Sequence, residues 1–219
     1  MKKRRVVPLS TVGPVARTGQ YRGELLEVRR ADRRRRLMEA GLAVFADGGY
    51  AVSSIPTVCR RAGLSSRQFY DEFANREALL TSIYEDLQRG GLAAVIGAVG
   101  ELETLEVSEW MRVGVRAYFD YFREDPRRVR LCFVEVVGVS PEFEELRRQT
   151  REQWSLTLEA ITRSASDRGL ITHRDRTFDW TIFLGAVNTA AVEYATRPDI
   201  TLDAVTASLF RLMSTGIME

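Results

Sequence analysis

The 219-residue chain has only two cysteines and one histidine, and that scarcity narrows its chemistry. Cys59 and Cys132 fall in segments with helical patterning, so no disulfide framework is expected and a reducing compartment fits. Cys59 reads as a structural thiol. His173 stands near a helix boundary, with no partner at metal-binding or acid–base spacing. An enzyme is therefore not expected, and neither a cofactor nor a metal is implied. Long apolar runs are missing too: none approaches the roughly 18 residues that a membrane span needs. The basic start "MKKRR" leads into "VVPLSTVGPVA", which Pro8, Gly13 and Pro14 break, so it is a poor signal peptide. The expectation is a cytoplasmic protein with no membrane partner.

Net charge is almost absent, at +2, but it is unevenly spread. Residues 1–36 carry twelve Lys or Arg against Glu24, Glu27 and Asp32, a local +9 that leaves −7 for the remainder. A basic end on an acidic body suggests a polyanionic partner for that end; a solvated charged tail is the plainer reading. With 45% apolar and 28% charged residues, the rest has an ordinary globular composition.

Residues 1–24, with Pro8, Gly13, Pro14, Gly19 and Gly23 among basic and small residues, are expected to lack regular structure. Helical spacing starts at Leu25 or Ala31, and Leu37, Ala40, Gly41, Val44 and Phe45 mark a buried face. "DGGY" ends it with glycines suited to a C-cap. Ser53 or Ser54 caps a second helix with Pro56 in its first turn, Ile55, Val58 and Ala62 inward, and Gly63 as its stop. Ser65 caps a very short third helix ending near Phe73. Asn75 caps a fourth, with Leu79, Leu80, Ile83 and Leu87 inward. Longer helical patterns follow over about 105–123, 126–138, 141–168, 175–196 and 202–215. "VRLCFVEVVGV" has strand-like propensity, but a lone strand would lack a partner, so a buried helix is expected there. The class is all-α, with about nine helices. Three parts are expected: a basic, largely disordered arm at 1–30, a helix-turn-helix domain at 31–78 and a larger helical domain at 79–219.

The second and third helices, joined at Gly63-Leu64, form a helix-turn-helix. Phe69 and Phe73 point to the core, leaving Ser65, Ser66, Arg67, Gln68, Tyr70 and Asp71 outward or sideways. A helix of two turns fits a DNA major groove, where Arg binds guanine and Gln binds adenine in bidentate fashion. Hairpins of this kind also occur in proteins that never meet DNA. Beyond the hairpin, Leu37 to Leu87 presents "GGY", then "S-x-x-x-V-x-x-x-A-G-L-S", "F-Y-x-x-F" and "N-R-E-A-L-L" in order. This run of about 50 residues resembles the DNA-binding module of the TetR family of bacterial transcription regulators. The downstream half agrees with that family in helical layout alone.

The resemblance implies that Ser54 caps its helix near a phosphate and that Ser65, Ser66, Arg67 and Gln68 open the recognition helix. Tyr70 takes the place of the family's phosphate-contacting tyrosine, with a packing role as the other reading. Arg76 takes the place of the basic residue that grips the DNA backbone. Arg33 to Arg36 cover a full helical turn, so at most two face DNA together; Arg33 and Arg36 are the candidates. Arg60 and Arg61 read as solvated. Lys2 to Arg5 either thread a minor groove or act as an electrostatic tether. Arg67 stands where small residues are common in the family. Asp71 and Glu72 replace aromatic or basic residues, and would repel phosphate unless Arg60, Arg61 or Arg76 neutralises them.

For the larger domain, the resemblance implies a pocket for a small apolar or aromatic effector. Trp110, Tyr118, Phe122, Phe133, Trp154 and Phe183 are its candidate walls, with plain core packing as the alternative for each. Glu135, a carboxylate inside "CFVEVVG", either pairs with Arg112 or Arg116 or meets a polar ligand group. The segments 179–196 and 202–216 look like the family's dimer-forming pair. Gly185, Thr189, Ala190 and Leu209 are the interface candidates, against burial within one subunit. The implied function is a ligand-responsive regulator, expected as a repressor that binds a palindromic operator as a homodimer and leaves it when an effector binds. A non-specific nucleoid-type DNA-binding protein, and an activator or co-repressed regulator of the same fold, stand as alternatives.

Overall fold

Helix α1 begins at Thr18 and runs to Gly48, well ahead of the expected start. Gly19 and Gly23 do not stop it: a glycine costs only about 1 kcal/mol in a helix interior, and adding turns to a formed helix is far easier than nucleating one. The computed structural model describes residues 18–100, 106–169 and 177–216. Lys2 to Arg5 and His173 lie outside them.

Two short helices follow, α2 (Ile55–Ala62) and α3 (Ser66–Tyr70), then the long α4 (Arg76–Gly100). Their ends are set as the sequence indicates. The Ser54 side chain accepts from the Thr57 N–H, Pro56 falls in the first turn, and the Asn75 side chain accepts from the Ala78 N–H at 2.7 Å. At the corner, Gly63 adopts φ +63°, and the N–H of Leu64 returns to the Cys59 carbonyl at 3.0 Å. A Cβ at Gly63 would also sit 3.0 Å from an Arg36 nitrogen. Gly63→Ala is therefore expected to cost about 1–2 kcal/mol, since left-handed backbone disfavours an L side chain. Chemical denaturation checks this; an unchanged midpoint would mean the corner accepts a side chain.

The module's core is Leu37, Phe45, Val58, Phe69, Phe73, Leu79 and Leu80, all buried. Gly41 lets α1 and α4 approach so closely that a Cβ there would lie 2.8 Å from Ile83. Helix α4 then leaves the module and packs along α5 (Val107–Arg123). Helix α6 (Pro126–Arg130) continues into a π-helical turn, Leu131–Glu135. The Val-rich segment is thus helical, as expected, but wider than an α-helix and closed three residues earlier. Helices α7 (Pro141–Asp167), α8 (Thr177–Thr196) and α9 (Leu202–Gly216) complete the bundle, with α8 packed against both neighbours. The described residues hold nine α-helices and no strand. None of these helices is long and apolar enough to cross a membrane.

Candidate nucleic-acid interface and ligand cavity

Phe69 is buried against Phe73 and fixes the inner face of α3. Its outer face carries Ser66, Arg67 and Tyr70, all exposed. Tyr70 is 59% exposed, and its ring meets only the edge of Phe69, so packing does not absorb it. Gln68 is engaged differently. Its Oε1 accepts from the Ser65 N–H at 2.9 Å and hydroxyl at 3.1 Å, while Ser65 Oγ accepts from the Gln68 N–H. This is a capping box, and it occupies the oxygen that bidentate adenine recognition would need.

The arginines of α1 turn toward the protein. Arg33 pairs with Glu72 at 2.9 Å and Arg30 with the same carboxylate at 3.2 Å. Arg34 donates to the Glu72 carbonyl and to Ser82, and stacks on Phe73. Arg36 donates twice to the Ala62 carbonyl and once to that of Gly63, so it ties the helix-turn-helix corner to α1. Arg76 donates to the Ser53 carbonyl and lies over the Tyr50 ring. The guanidinium groups of Arg33, Arg36 and Arg76 thus face the module itself, in place of the outward orientation expected from sequence. Glu72 is neutralised, but from α1 and not by Arg60, Arg61 or Arg76. Arg60, Arg61, Arg67 and Ser54 are exposed on the hairpin.

Glu135 also lies elsewhere than expected. Its Oε2 accepts from the Tyr50 N–H at 2.8 Å and its Oε1 from Arg130 at 3.0 Å. Arg112 and Arg116 pair instead with Glu109 and Asp203. Glu135 therefore bridges the π-helical turn to the "GGY" loop of the N-terminal module, and is not a wall of the bundle cavity. A second bridge runs from the Ser140 hydroxyl to Glu77 at 2.6 Å. Helicity alone could not reveal either bridge, because each joins segments more than 60 residues apart.

Between α4, α5, α7 and α8 lies an apolar cavity of about 50 Å³. Trp110, Tyr118, Trp154 and Phe183 line it, with Val95 and Leu158 among the aliphatic walls. Phe122 is core instead, and Phe133 faces a second, polar cavity of about 30 Å³ with Gln88, Arg147, Arg151 and Asn188. Tyr118, Trp154 and Leu184 border both cavities, while Val99, Trp110 and Ile161 border both the apolar one and an open cleft of about 500 Å³. Burial pushes Tyr84 up to about 12 and raises Tyr118 and Cys132 as well, so these groups stay neutral around the polar cavity.

On α8 and α9 a shallow apolar groove includes Gly185, Thr189, Ala190 and Leu209. Leu209 is only 3% exposed and packs within the subunit. The exposed apolar groups beside it are Phe178, Ile182 and Leu212, which the sequence reading passed over. Residues 178, 182, 185 and 189 follow helical spacing along one stripe of α8, a signal that was available.

Residues 37–83 match the profile described as bacterial regulatory proteins, tetR family. The chain is 28% identical to the HTH-type transcriptional activator FasR of Mycolicibacterium smegmatis, covering 84% of this chain and 81% of FasR. It is 23% identical to the HTH-type transcriptional regulator EthR of the same organism, covering 77% and 78%. Its fold is like that of the fatty acid degradation regulator FadR from Bacillus halodurans, with TM-score 0.74, 15% identity, and 84% and 96% of the two chains covered. FadR from Bacillus subtilis, solved in complex with stearoyl-CoA, gives TM-score 0.73 at 18% identity, covering 83% and 98%. The helix-turn-helix is thus that of the TetR-family DNA-binding regulators, joined to an all-helical second domain.

Proposed function

We propose that the protein acts as a homodimeric repressor that binds a palindromic operator and leaves it when an apolar effector enters the bundle. The observation that carries this reading is the outer face of α3. Ser66, Arg67 and Tyr70 are exposed on a helix whose inner face is locked by Phe69 and whose start is closed by a capping box. Arg67 is the side chain best suited to read a base, as a bidentate partner of guanine. Tyr70, Ser54, Arg60 and Arg61 are suited to phosphates on either side. The exposed apolar stripe of α8 and α9 supports pairing of two subunits, which would set two α3 helices on a twofold axis. The apolar cavity supports an effector with a hydrocarbon portion, in line with the stearoyl-CoA bound by FadR.

Effector binding shifts the dimer away from the DNA-competent conformation by its differential affinity for the two states, and by no more than that. Selection of bound duplexes from a random pool tests the reading. Inverted repeats are expected, with half-sites roughly 34–36 Å apart or at a related spacing. Arg67→Ala is expected to weaken binding by roughly 10-fold and to relax preference at one position per half-site. A pool that returns unrelated sequences of equal affinity would favour a nucleoid-type protein instead. One observation favours a second sign of control: FasR, 28% identical, is named an activator. Transcription from the selected site, with and without the protein, decides between repression and activation.

A further inference from the structure

The polar cavity beside the effector cavity offers hydrogen-bond donors in excess of acceptors. Trp154 Nε1 donates to Gln88 Oε1 at 3.0 Å, and the Tyr118 hydroxyl donates to Asn188 Oδ1 at 3.2 Å. An indole N–H can only donate, so it fixes the Gln88 amide with its oxygen toward the ring. Both amides have thus used their oxygens; the Asn188 NH2 group and one Gln88 N–H, beside the one turned to the Cys132 thiol, are left for another partner. Two guanidinium groups complete the lining. Arg147 is paired with Glu144, and Arg148, one residue further, with Glu145 and Glu152. Arg151 differs. It lines the cavity half-buried, and its guanidinium has no ion pair or hydrogen bond among the described residues; its field is felt at Tyr84 and Glu144. Tyr84, Tyr118 and Cys132, the ionisable groups of the lining that could add negative charge, are held neutral by burial.

A cavity of about 30 Å³ has room for one small group, close to the roughly 30 Å³ that a water molecule occupies in the liquid. A carboxylate fits that demand: acceptor-only when ionised, and able to take a guanidinium fork and amide donors together. Only side chains separate this cavity from the apolar one, namely Tyr118 and Trp154, edge to face at 5.6 Å, with Leu184. The opposite end of the apolar cavity leads to the open cleft, where Arg168 lies exposed near the Trp110 ring. A charge in open water binds an anion weakly, so the enclosed end is the better receptor.

We propose that the effector is an alkyl carboxylic acid, its carboxylate held by Arg151 with Gln88 and Asn188, and its tail running through the Trp110–Phe183 cavity and past Val99 and Ile161 into the open cleft of about 500 Å³. This rests on the effector reading above and narrows it to a free acid, since the polar cavity is too small for the bulky head of an acyl thioester of coenzyme A.

The test is calorimetric titration of the full chain with dodecanoate, dodecanol and dodecanoyl-CoA, alongside DNA binding. Dodecanoate is expected to bind roughly 10-fold or more tighter than dodecanol, the advantage of a charge-assisted contact. Arg151→Gln should remove most of that preference and leave dodecanol affinity within about twofold. Equal affinity for acid and alcohol, binding of neither, or a clear preference for the thioester would overturn the proposal. So would an Arg151→Gln protein that weakens acid and alcohol alike. The acid–alcohol comparison on the unaltered chain stands even if that variant folds poorly. If dodecanoate binds with the expected preference yet leaves DNA binding unchanged, the carboxylate site holds and the inducer reading fails. If dodecanol releases DNA as well as dodecanoate does, the inducer reading holds and the carboxylate site fails.

Discussion

Glu72→Ala is expected to destabilise the N-terminal module by about 2–3 kcal/mol, measured by chemical denaturation, and to cost DNA affinity with it. The Glu72 carboxylate is 0% exposed and sits between Arg30 and Arg33. Those two contacts are unequal. The Arg30 side chain is 68% exposed, so its pair is screened and worth under about 1 kcal/mol. The Arg33 side chain is 28% exposed, and its Nε is already buried without a partner. Removing Glu72 leaves that guanidinium half-buried with no counter-charge, and the desolvation cost falls there. Arg30→Ala should therefore be nearly silent. The double variant Glu72→Ala/Arg33→Met should regain much of the lost stability, because an apolar pair replaces an ionic one. Glu72→Ala and Arg30→Ala costing the same would mean that the carboxylate is held by nothing buried.

The same contact shows what was legible in the chain and what was not. Caps and corner could be read residue by residue. Ser54, Gly63, Ser65 and Asn75 act locally, and each hydrogen bond spans at most a few positions. Phe69 and Phe73 are four apart on an otherwise polar helix, which sets their facing. The arginines of α1 could not be assigned that way. Periodicity gives a side chain its direction around a helix, but not which element crosses there. Arg33 and Arg36 were expected to face DNA because they are basic and near it; Glu72, just past α3, and the Ala62-Gly63 corner lie against them instead. Gln68 was decidable from sequence, since Ser65-x-x-Gln68 is the spacing of a capping box. In the larger domain four of the candidate wall aromatics, Trp110, Tyr118, Trp154 and Phe183, lie on regular helices and line one cavity. Phe133 and Glu135 lie away from that cavity, in the π-helical turn. An extra residue per turn rotates every later side chain away from its 3.6-residue position.

That turn carries the other large expected effect, which concerns regulation more than stability. Cys132 and Phe133 line the polar cavity, and Glu135, two residues on, holds the Tyr50 N–H of the DNA-binding module. Tyr50 in turn supports the Arg76 guanidinium and accepts from the Ser53 N–H and hydroxyl just ahead of α2. A ligand that repacks Phe133 thus has a direct polar route to the hairpin, beside the mechanical route along α4. Glu135→Ala removes the acceptor and is expected to cost about 1–2 kcal/mol of stability. Glu135→Gln keeps one acceptor oxygen for the Tyr50 N–H and should cost less. The larger change is in coupling, typically 1–3 kcal/mol between effector and DNA sites, or roughly 5- to 150-fold in affinity. In Glu135→Ala, a saturating effector should shift DNA affinity by less than about threefold, while each ligand alone binds nearly as in the unaltered protein. Coupling is reciprocal, so DNA should then cease to weaken effector binding by the same factor. Measuring both halves of that cycle separates a broken link from a damaged site. Full coupling in Glu135→Ala would leave α4 and the Ser140–Glu77 bridge as the routes, and Ser140→Ala, which cuts that bridge, separates the two: coupling kept there as well assigns the signal to α4 alone.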